Sequence, residues 1–101
     1  MSAGEIDERL QNILPQLKNM SGTIRFDLGV DGRWLVDART SAACLRPDDG
    51  DADVDCTIRI SAETLMKMLD GKLDPMLAYT LGKIKVKGSM GLAMKLVSVL
   101  G

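Results

Sequence analysis

Residues Gly71 to Leu96 read GKLDPMLAYTLGKIKVKGSMGLAMKL, and this stretch decides the fold because several element boundaries fall inside it. Gly71 suits the left-handed position that closes a preceding helix. Asp74 is placed to cap the next helix, Pro75 fits its first turn and Gly82 ends it. Lys83, Lys85 and Lys87 then alternate with Ile84 and Val86, the period of a strand with one wet and one buried face. Beyond Gly88 and the potential cap Ser89 comes MGLAMKLVSVL, whose only polar side chains are Lys95 and Ser98. A helix apolar around most of its girth is hard for a small protein to cover by itself.

The same residues resemble the sterol carrier protein type 2 family of nonspecific lipid-transfer domains. The resemblance runs through Gly71, Lys72, Leu73, Asp74, Pro75, Ala78, Tyr79, Gly82, Lys83, Ile84, Lys85 and Gly88, then Met90, Gly91, Leu92, Ala93, Met94, Lys95 and Leu96. DCTIRIS, Asp55 to Ser61, is similar to the family's strand leading into its lipid-covering helices. Together these positions cover nearly half the chain, in the family's order. The resemblance implies an α+β fold: an antiparallel-rich sheet of about five strands, helices on one face, and an apolar tunnel between the layers that holds a lipid.

Upstream, Ser2 and Glu5 have capping-box spacing, and Ile6, Leu10, Ile13, Leu14 and Leu17 recur at helical intervals. Pro15 is expected to kink or end that helix. From Thr23 the period becomes two. Ile24, Phe26 and Leu28 share one face, as do Trp34, Val36 and Ala38 after the turn signal Asp31-Gly32. A three-residue loop, Val30 to Gly32, with Gly32 left-handed, pairs Leu28 with Trp34, Phe26 with Val36 and Ile24 with Ala38. A third strand is expected over Ala42 to Leu45, ended by Arg46-Pro47. A fourth carries Val54, Cys56, Ile58 and Ile60 on one face. Ser61 caps a helix with Glu63 in its first turn and Ala62, Leu65, Met66 and Leu69 as its stripe, widened by Met68.

With 101 residues, no repeat and no linker, one domain spanning residues 1–101 is expected. The net charge of −1 hides an asymmetry: residues 1–55 carry 6 basic against 11 acidic side chains, and residues 56–101 carry 7 against 3. Basic residues near a membrane surface gain about 1 kcal/mol each from anionic lipid. Lys83, Lys85 and Lys87 are therefore candidates for transient contact with an anionic membrane, although solvated lysines on a strand face have the same pattern.

Much chemistry is excluded. There is no histidine to serve as general base or zinc ligand. Gly88-Ser89-Met90-Gly91 is not a nucleophile elbow, and the glycines fit neither a P-loop nor a dinucleotide fingerprint. The run DDGDAD fails the calcium-loop pattern, since position 6 is Val54 or Cys56 and position 12 is Ile60 or Ala62. Lysines without interleaved aromatics are a poor nucleic-acid signature. No catalytic residue, metal or cofactor is expected. Cys44 and Cys56 lack redox spacing and are read as free buried thiols on neighbouring strands, with an adventitious cross-strand disulfide left open.

No basic-then-apolar leader is present and no run approaches ~18 apolar residues, so a soluble cytoplasmic chain is expected, more as a monomer than a homodimer. Leu100-Gly101 is not a peroxisomal Ser-Lys-Leu signal, which favours a bacterial or other non-peroxisomal setting. Fatty acid, acyl-CoA or phospholipid is then a better ligand than sterol. Many family members have glutamine where this chain has Leu81, which removes a polar handle.

The candidate tunnel walls, chosen because the strand and helix periods point them inward, are Phe26, Trp34, Val36, Leu65, Met66, Leu69, Met76, Leu77, Leu81, Ile84, Met90, Met94 and Val97. Each also reads as ordinary core. At ~0.8 kcal/mol per methylene, a sixteen-carbon chain has ample transfer energy for micromolar binding. The competing reading is a non-catalytic accessory module, docking a lipid-metabolising enzyme or other partner through the apolar C-terminal helix.

Overall fold

The computed structural model describes residues 2–18 and 20–100. In chain order the elements are α1 (Ala3–Leu17), β1 (Thr23–Asp27), β2 (Arg33–Asp37), β3 (Cys44–Pro47), β4 (Cys56–Ile60), α2 (Ala62–Leu69), α3 (Pro75–Thr80), β5 (Ile84–Gly88) and α4 (Met90–Leu100). The strands form one sheet in the order β3-β2-β1-β4-β5. Its β1–β4 pair is parallel and its other three pairs are antiparallel, so the sheet is mixed.

The period-two pattern sorts the faces. Ile24, Phe26, Trp34, Val36, Cys56, Ile58, Ile60 and Ile84 point to the helices and are buried with Ile6, Leu10 and Leu17 of α1, Leu65, Met66 and Met68 of α2, and Leu92 and Leu96 of α4. Arg25, Asp27, Arg33, Arg59, Lys85 and Lys87 occupy the other face. Helix α1 begins as its capping box implies, with the Glu5 N–H donating to Ser2 Oγ at 3.2 Å. It does not stop at Pro15. The proline lies only two residues from the helix end, where one missing amide donor costs little, and Leu17 is fully buried and holds the last turn in place.

The β1–β2 register differs from expectation by two residues: Phe26 pairs with Trp34 and Ile24 with Val36. The loop uses five residues, Leu28 to Gly32, closed by the Leu28 N–H donating to Gly32 O at 2.9 Å. Asp27 is the cause. Its Oδ1 accepts the Gly29 N–H at 2.9 Å, and Gly29 turns to φ +64° to start a short 3-10 turn over Gly29–Asp31. Gly32 has positive φ, +114°, as expected. A shift of two keeps every side chain on its face, so Leu28 stays buried although it leaves the ladder.

Strand β3 begins two residues later than expected and includes Pro47, which an edge strand tolerates because its outer amide positions need no partner. Strand β4 begins at Cys56, leaving Val54 half-buried before it. The cysteine expectation is corrected. Cys44 is exposed on β3 and Cys56 is buried on β4, three strand steps or about 14 Å apart. They cannot pair. Burial, with the Asp55 charge, pushes the Cys56 thiol above its ordinary range. Among the described residues no helix is long and apolar enough to cross a membrane.

Two measurements check this packing. A Cβ on Gly88 would lie 2.4 Å from the Asp55 carbonyl oxygen, and Gly88 has φ +100°, whereas Gly71, at φ +74°, has open space around it. Gly88→Ala is expected to cost about 3 kcal/mol in urea unfolding and Gly71→Ala about 1 kcal/mol. Equal losses would remove the close approach as the reason for Gly88. In native conditions a maleimide should modify Cys44 alone, with Cys56 reacting only after unfolding. Simultaneous modification would contradict the buried position of Cys56.

Candidate functional site

The chain from Ser61 onward is a series of well-made helix ends. The Thr64 N–H donates to Ser61 Oγ at 3.1 Å and the Met76 N–H to Asp74 Oδ1 at 3.0 Å. Helix α2 closes with the Gly71 N–H donating to Met68 O and the Lys72 N–H to Lys67 O, at 3.1 and 2.8 Å. Helix α3 repeats that closure with Gly82 to Tyr79 O and Lys83 to Ala78 O, at 3.1 and 2.9 Å. Helix α4 is capped by the preceding Ser89, whose Oγ accepts the Leu92 N–H at 3.2 Å.

These ends fix which residues face outward. On α3, Pro75 and Ala78 are buried, so Met76, Leu77, Thr80 and Leu81 form the solvent side. Thr80 turns its hydroxyl back onto the Met76 carbonyl at 2.9 Å. On α4, Leu92, Ala93, Leu96 and Val97 are buried and Met90 and Met94 stand one turn apart on the exposed stripe. Helices α3 and α4 pack against each other and against β5. The exposed apolar side chains of these two adjoining helices, from 39% exposed at Met94 to 59% exposed at Leu81, are together the α3–α4 edge.

The thirteen expected wall residues divide accordingly. Phe26, Trp34, Val36, Leu65, Met66, Ile84 and Val97 are buried, Leu69 is half-buried, and Met76, Leu77, Leu81, Met90 and Met94 are exposed. Trp34 is not brought to the α3–α4 edge. It lies three strands from Ile84, and its indole N–H donates to Asp7 Oδ2 on α1 at 3.1 Å. Clefts among the described residues lie on the outer sheet face, along the β3–β4 connection and beside Asp7 and Trp34. Thr80 is exposed on α3 beside these side chains and is not among the expected wall residues; its i, i+4 spacing from Met76 is the signal that finds it.

The outer sheet face is charged and internally paired in part. The β3–β4 connection crosses it, with Asp48 accepting the Arg25 Nε–H and Ala52 O accepting from the same guanidinium. Asp27 lies 3.6 Å from Arg33 Nε and 4.0 Å from Arg59 Nε. A cleft of about 510 Å³ opens there among Arg33, Arg59, Lys85, Lys87, Asp49 and Asp51. Of the three lysines singled out for membrane contact, Lys85 and Lys87 project to this face, opposite Arg59 and Thr57, while Lys83 follows the Gly82 turn at the end of α3. Among the described residues, no three His, Cys, Asp or Glu side chains are grouped to hold a metal ion.

A mixed five-stranded sheet backed by helices on one face, with an uncovered apolar edge and a charged opposite face, defines a small α+β binding module. The model of the SCP-2 sterol transfer family matches residues 4–101, and the chain belongs to that family. Sterol carrier protein 2 of Rattus norvegicus is 34% identical over 101 residues, a match covering 94% of this chain but 18% of the rat protein. The chain therefore spans about a fifth of the length of that relative. The solution structure of sterol carrier protein domain 2 of Helicoverpa armigera superposes with a TM-score of 0.70 at 29% identity, covering 91% of this chain and 83% of the other. Palmitated SCP2L2 from Aedes aegypti gives 0.75 at 22% identity over 99% and 95% of the two chains, a likeness of fold.

The Asp48–Arg25 pair fastens the crossover to the sheet and carries a pH signature. Burial opposes ionisation of Asp48, but the hydrogen bonds from Arg25 and the Gly50 amide outweigh it and hold the carboxyl below its ordinary range. A carboxyl depressed in the folded state stabilises fully above its unfolded pKa of about 4, and that stability disappears as pH falls through the folded value. Asp48→Asn should therefore destabilise the protein at pH 7, and the gap between variant and wild type should close in acid. A gap constant from pH 7 to pH 2 in urea unfolding would refute the ion pair as its source.

Proposed function

We propose that this chain is a single non-catalytic domain that binds an apolar lipid tail between its helices and sheet and carries it between membranes. The α3–α4 edge is the way in. The observation that carries the reading is that edge: five large apolar side chains held in water on two adjoining helices, in a chain that belongs to a sterol transfer family. Half-exposed Leu and Met side chains each retain about 1 kcal/mol of transfer free energy, so covering the edge yields about 5 kcal/mol. A tail that also reaches the interior side chains, from Leu69 toward Met66, Leu65, Ile84 and Val97, gains more. Phe26 and Val36 form the deep end of that wall and Trp34 its far margin.

Selectivity is loose in this reading, because Met76, Met90 and Met94 adapt to varied shapes and Leu81 offers no polar handle. Fatty acid, acyl-CoA and phospholipid tails fit it, and sterol-like ligands are the less favoured class. Two free thiols suit a reducing, cytoplasmic setting. The reading includes a monomer that touches anionic membranes through lysines of the Lys83–Lys87 segment. The runner-up is an accessory module whose α4 docks a lipid-metabolising enzyme. It is favoured by one fact, that the matched region is a fifth of a much longer rat protein.

Organic extraction and mass spectrometry of detergent-free protein, beside titration with a soluble fluorescent fatty acid, tests the carrier reading. Wild type should retain or bind about one acyl chain per protein. The double change Leu77→Asp with Met94→Asp should weaken the probe at least ~10-fold while the unfolding midpoint stays nearly unmoved, because both side chains are already half in water. A clean extract with no probe binding would leave only the accessory module, and unaltered affinity in the double variant would place the entrance elsewhere.

A further inference from the structure

We infer that the free edge of β5 docks an extended acidic peptide segment of a partner protein, which joins the sheet as a further strand. The inference does not depend on the lipid-binding reading. Strand β5 pairs with β4 on one side and with no strand on the other. The Ser89 N–H donates to Asp55 O at 2.8 Å, which sets the phase of the ladder. Lys87 and Lys85 therefore bond across to Thr57 and Arg59, and Val86 turns its N–H and C=O away from β4. Among the described residues, no backbone group of another element meets those two groups of Val86. Ile84 is buried, Val86 is half-buried, and Lys85, Lys87 and Gly88 are exposed, so the open edge runs from Lys85 to Gly88.

A chain laid along this edge meets a two-sided pattern. On the outer sheet face, Lys85 and Lys87 line the 510 Å³ cleft together with Arg59. Val86 also lines it, although its side chain belongs to the inner face, so cleft and edge are continuous. Among the described residues neither lysine belongs to an ion pair, and Arg59 has only Asp27, at 4.0 Å and shared with Arg33. Lys85 Nζ lies toward the end of α3, 3.7 Å from where a Cβ on Gly82 would stand. The carboxylates of the cleft, Asp27, Asp49 and Asp51, come from β1 and the β3–β4 connection, which leaves its β5 side cationic. On the inner face the neighbour is Val86. Side chains alternate along a strand, so the complementary segment reads acidic, apolar, acidic, with its backbone bonded to the outward N–H and C=O of Val86.

Charge selects this occupant. Lysines on an edge deter indiscriminate strand pairing, and the β5 of a second copy would set lysines against lysines on one face. An anionic bilayer would answer the lysines but offers no strand of alternating donors and acceptors to Val86.

Fluorescence anisotropy with a short labelled peptide of alternating glutamate and valine tests this. Wild type should bind it at least ~10-fold more tightly than the analogue with lysine for glutamate, and K85E/K87E should reverse that preference. Peptides N-methylated on one or the other alternate set of amides should differ, one set weakening binding about tenfold and the other by no more than about twofold. Val86→Pro removes an outward donor, leaves the ladder to β4, and should weaken binding about tenfold. The inference is overturned if wild type does not bind the glutamate peptide, if the lysine analogue binds as well, if both methylated sets act alike, or if folded Val86→Pro binds like wild type. Should Val86→Pro fail to fold, the methylated peptides and K85E/K87E decide. Binding to phosphatidylglycerol vesicles in place of the peptide would give the lysines to a membrane, and a dimer in sedimentation velocity that excludes the peptide would give the edge to a second copy. Either result also overturns the inference.

Discussion

The fold turns on one junction, where Asp55 fastens three strands and a helix. The Thr23 N–H donates to Asp55 Oδ2 at 2.9 Å, the Asp55 N–H donates back to Thr23 O at 3.1 Å, and the Ser89 N–H donates to Asp55 O at 2.8 Å. The start of β1, the start of β4 and the passage from β5 to α4 thus meet at one residue. Gly22 and Gly88 make the meeting possible, since a Cβ on Gly22 would press Leu92 at 2.6 Å and one on Gly88 would strike the Asp55 carbonyl. The parallel β1–β4 pair is the non-local step in the topology, and this junction aligns it. Once β1 and β4 are aligned, β2 and β3 add on one side and β5 on the other, and α4 is launched across the inner face.

Much of this was legible because local chemistry and global packing agree. The run from Gly71 to Ser89 places its caps, its strand and its helix starts where the amino-acid types demand, and the structure has all of them. The alternation of β1, β2, β4 and β5 named the inner face correctly. What was not legible depended on side chains acting at a distance from their own pattern. Asp27 lengthened the β1–β2 loop by capturing the Gly29 amide, and Leu17 held α1 together past Pro15. The positions of Cys44 and Cys56 required the strand order, which sequence adjacency misstates whenever a connection crosses the sheet. The candidate site was legible by composition but not by depth: periodicity pointed Met76, Leu77 and Leu81 toward the fold, and the two glycine closures turn them to solvent.

A two-layer domain of this size leaves one sheet face without helices, and the two unguarded surfaces are handled by opposite means. The outer sheet face is kept in water by charge: Arg25 with Asp48, Asp27 between Arg33 and Arg59, and the two lysines of β5. Leu35 is the apolar exception there, and it is buried with Arg25 and Arg46 as its cross-strand neighbours. The α3–α4 edge receives no such treatment. Met76, Leu77 and Leu81 keep about half of their surface in water, so polar replacements there would give up only part of a side chain's burial, and helix α3 would keep both of its caps. Stability accounts for only part of their apolar character, and a binding role accounts for the rest.

The helices differ in how readily each could yield to a ligand. Helix α4 buries Leu92, Ala93, Leu96 and Val97, and α2 buries Leu65, Met66 and Met68, so withdrawing either exposes a large part of the core. Helix α3 has six residues and buries only Pro75 and Ala78, with Tyr79 half-buried. Its helical hydrogen bonds and both caps are internal to residues 74–83, so it can shift as a unit without breaking them. On the proposed carrier reading, opening between α3 and the sheet would forfeit little apolar burial and few hydrogen bonds, and an entering tail would restore apolar packing where the helix withdrew. The least anchored helix lies beside the most apolar exposed surface, and both follow from one short sequence, DPMLAYTLGK, capped at each end and apolar on its outer side.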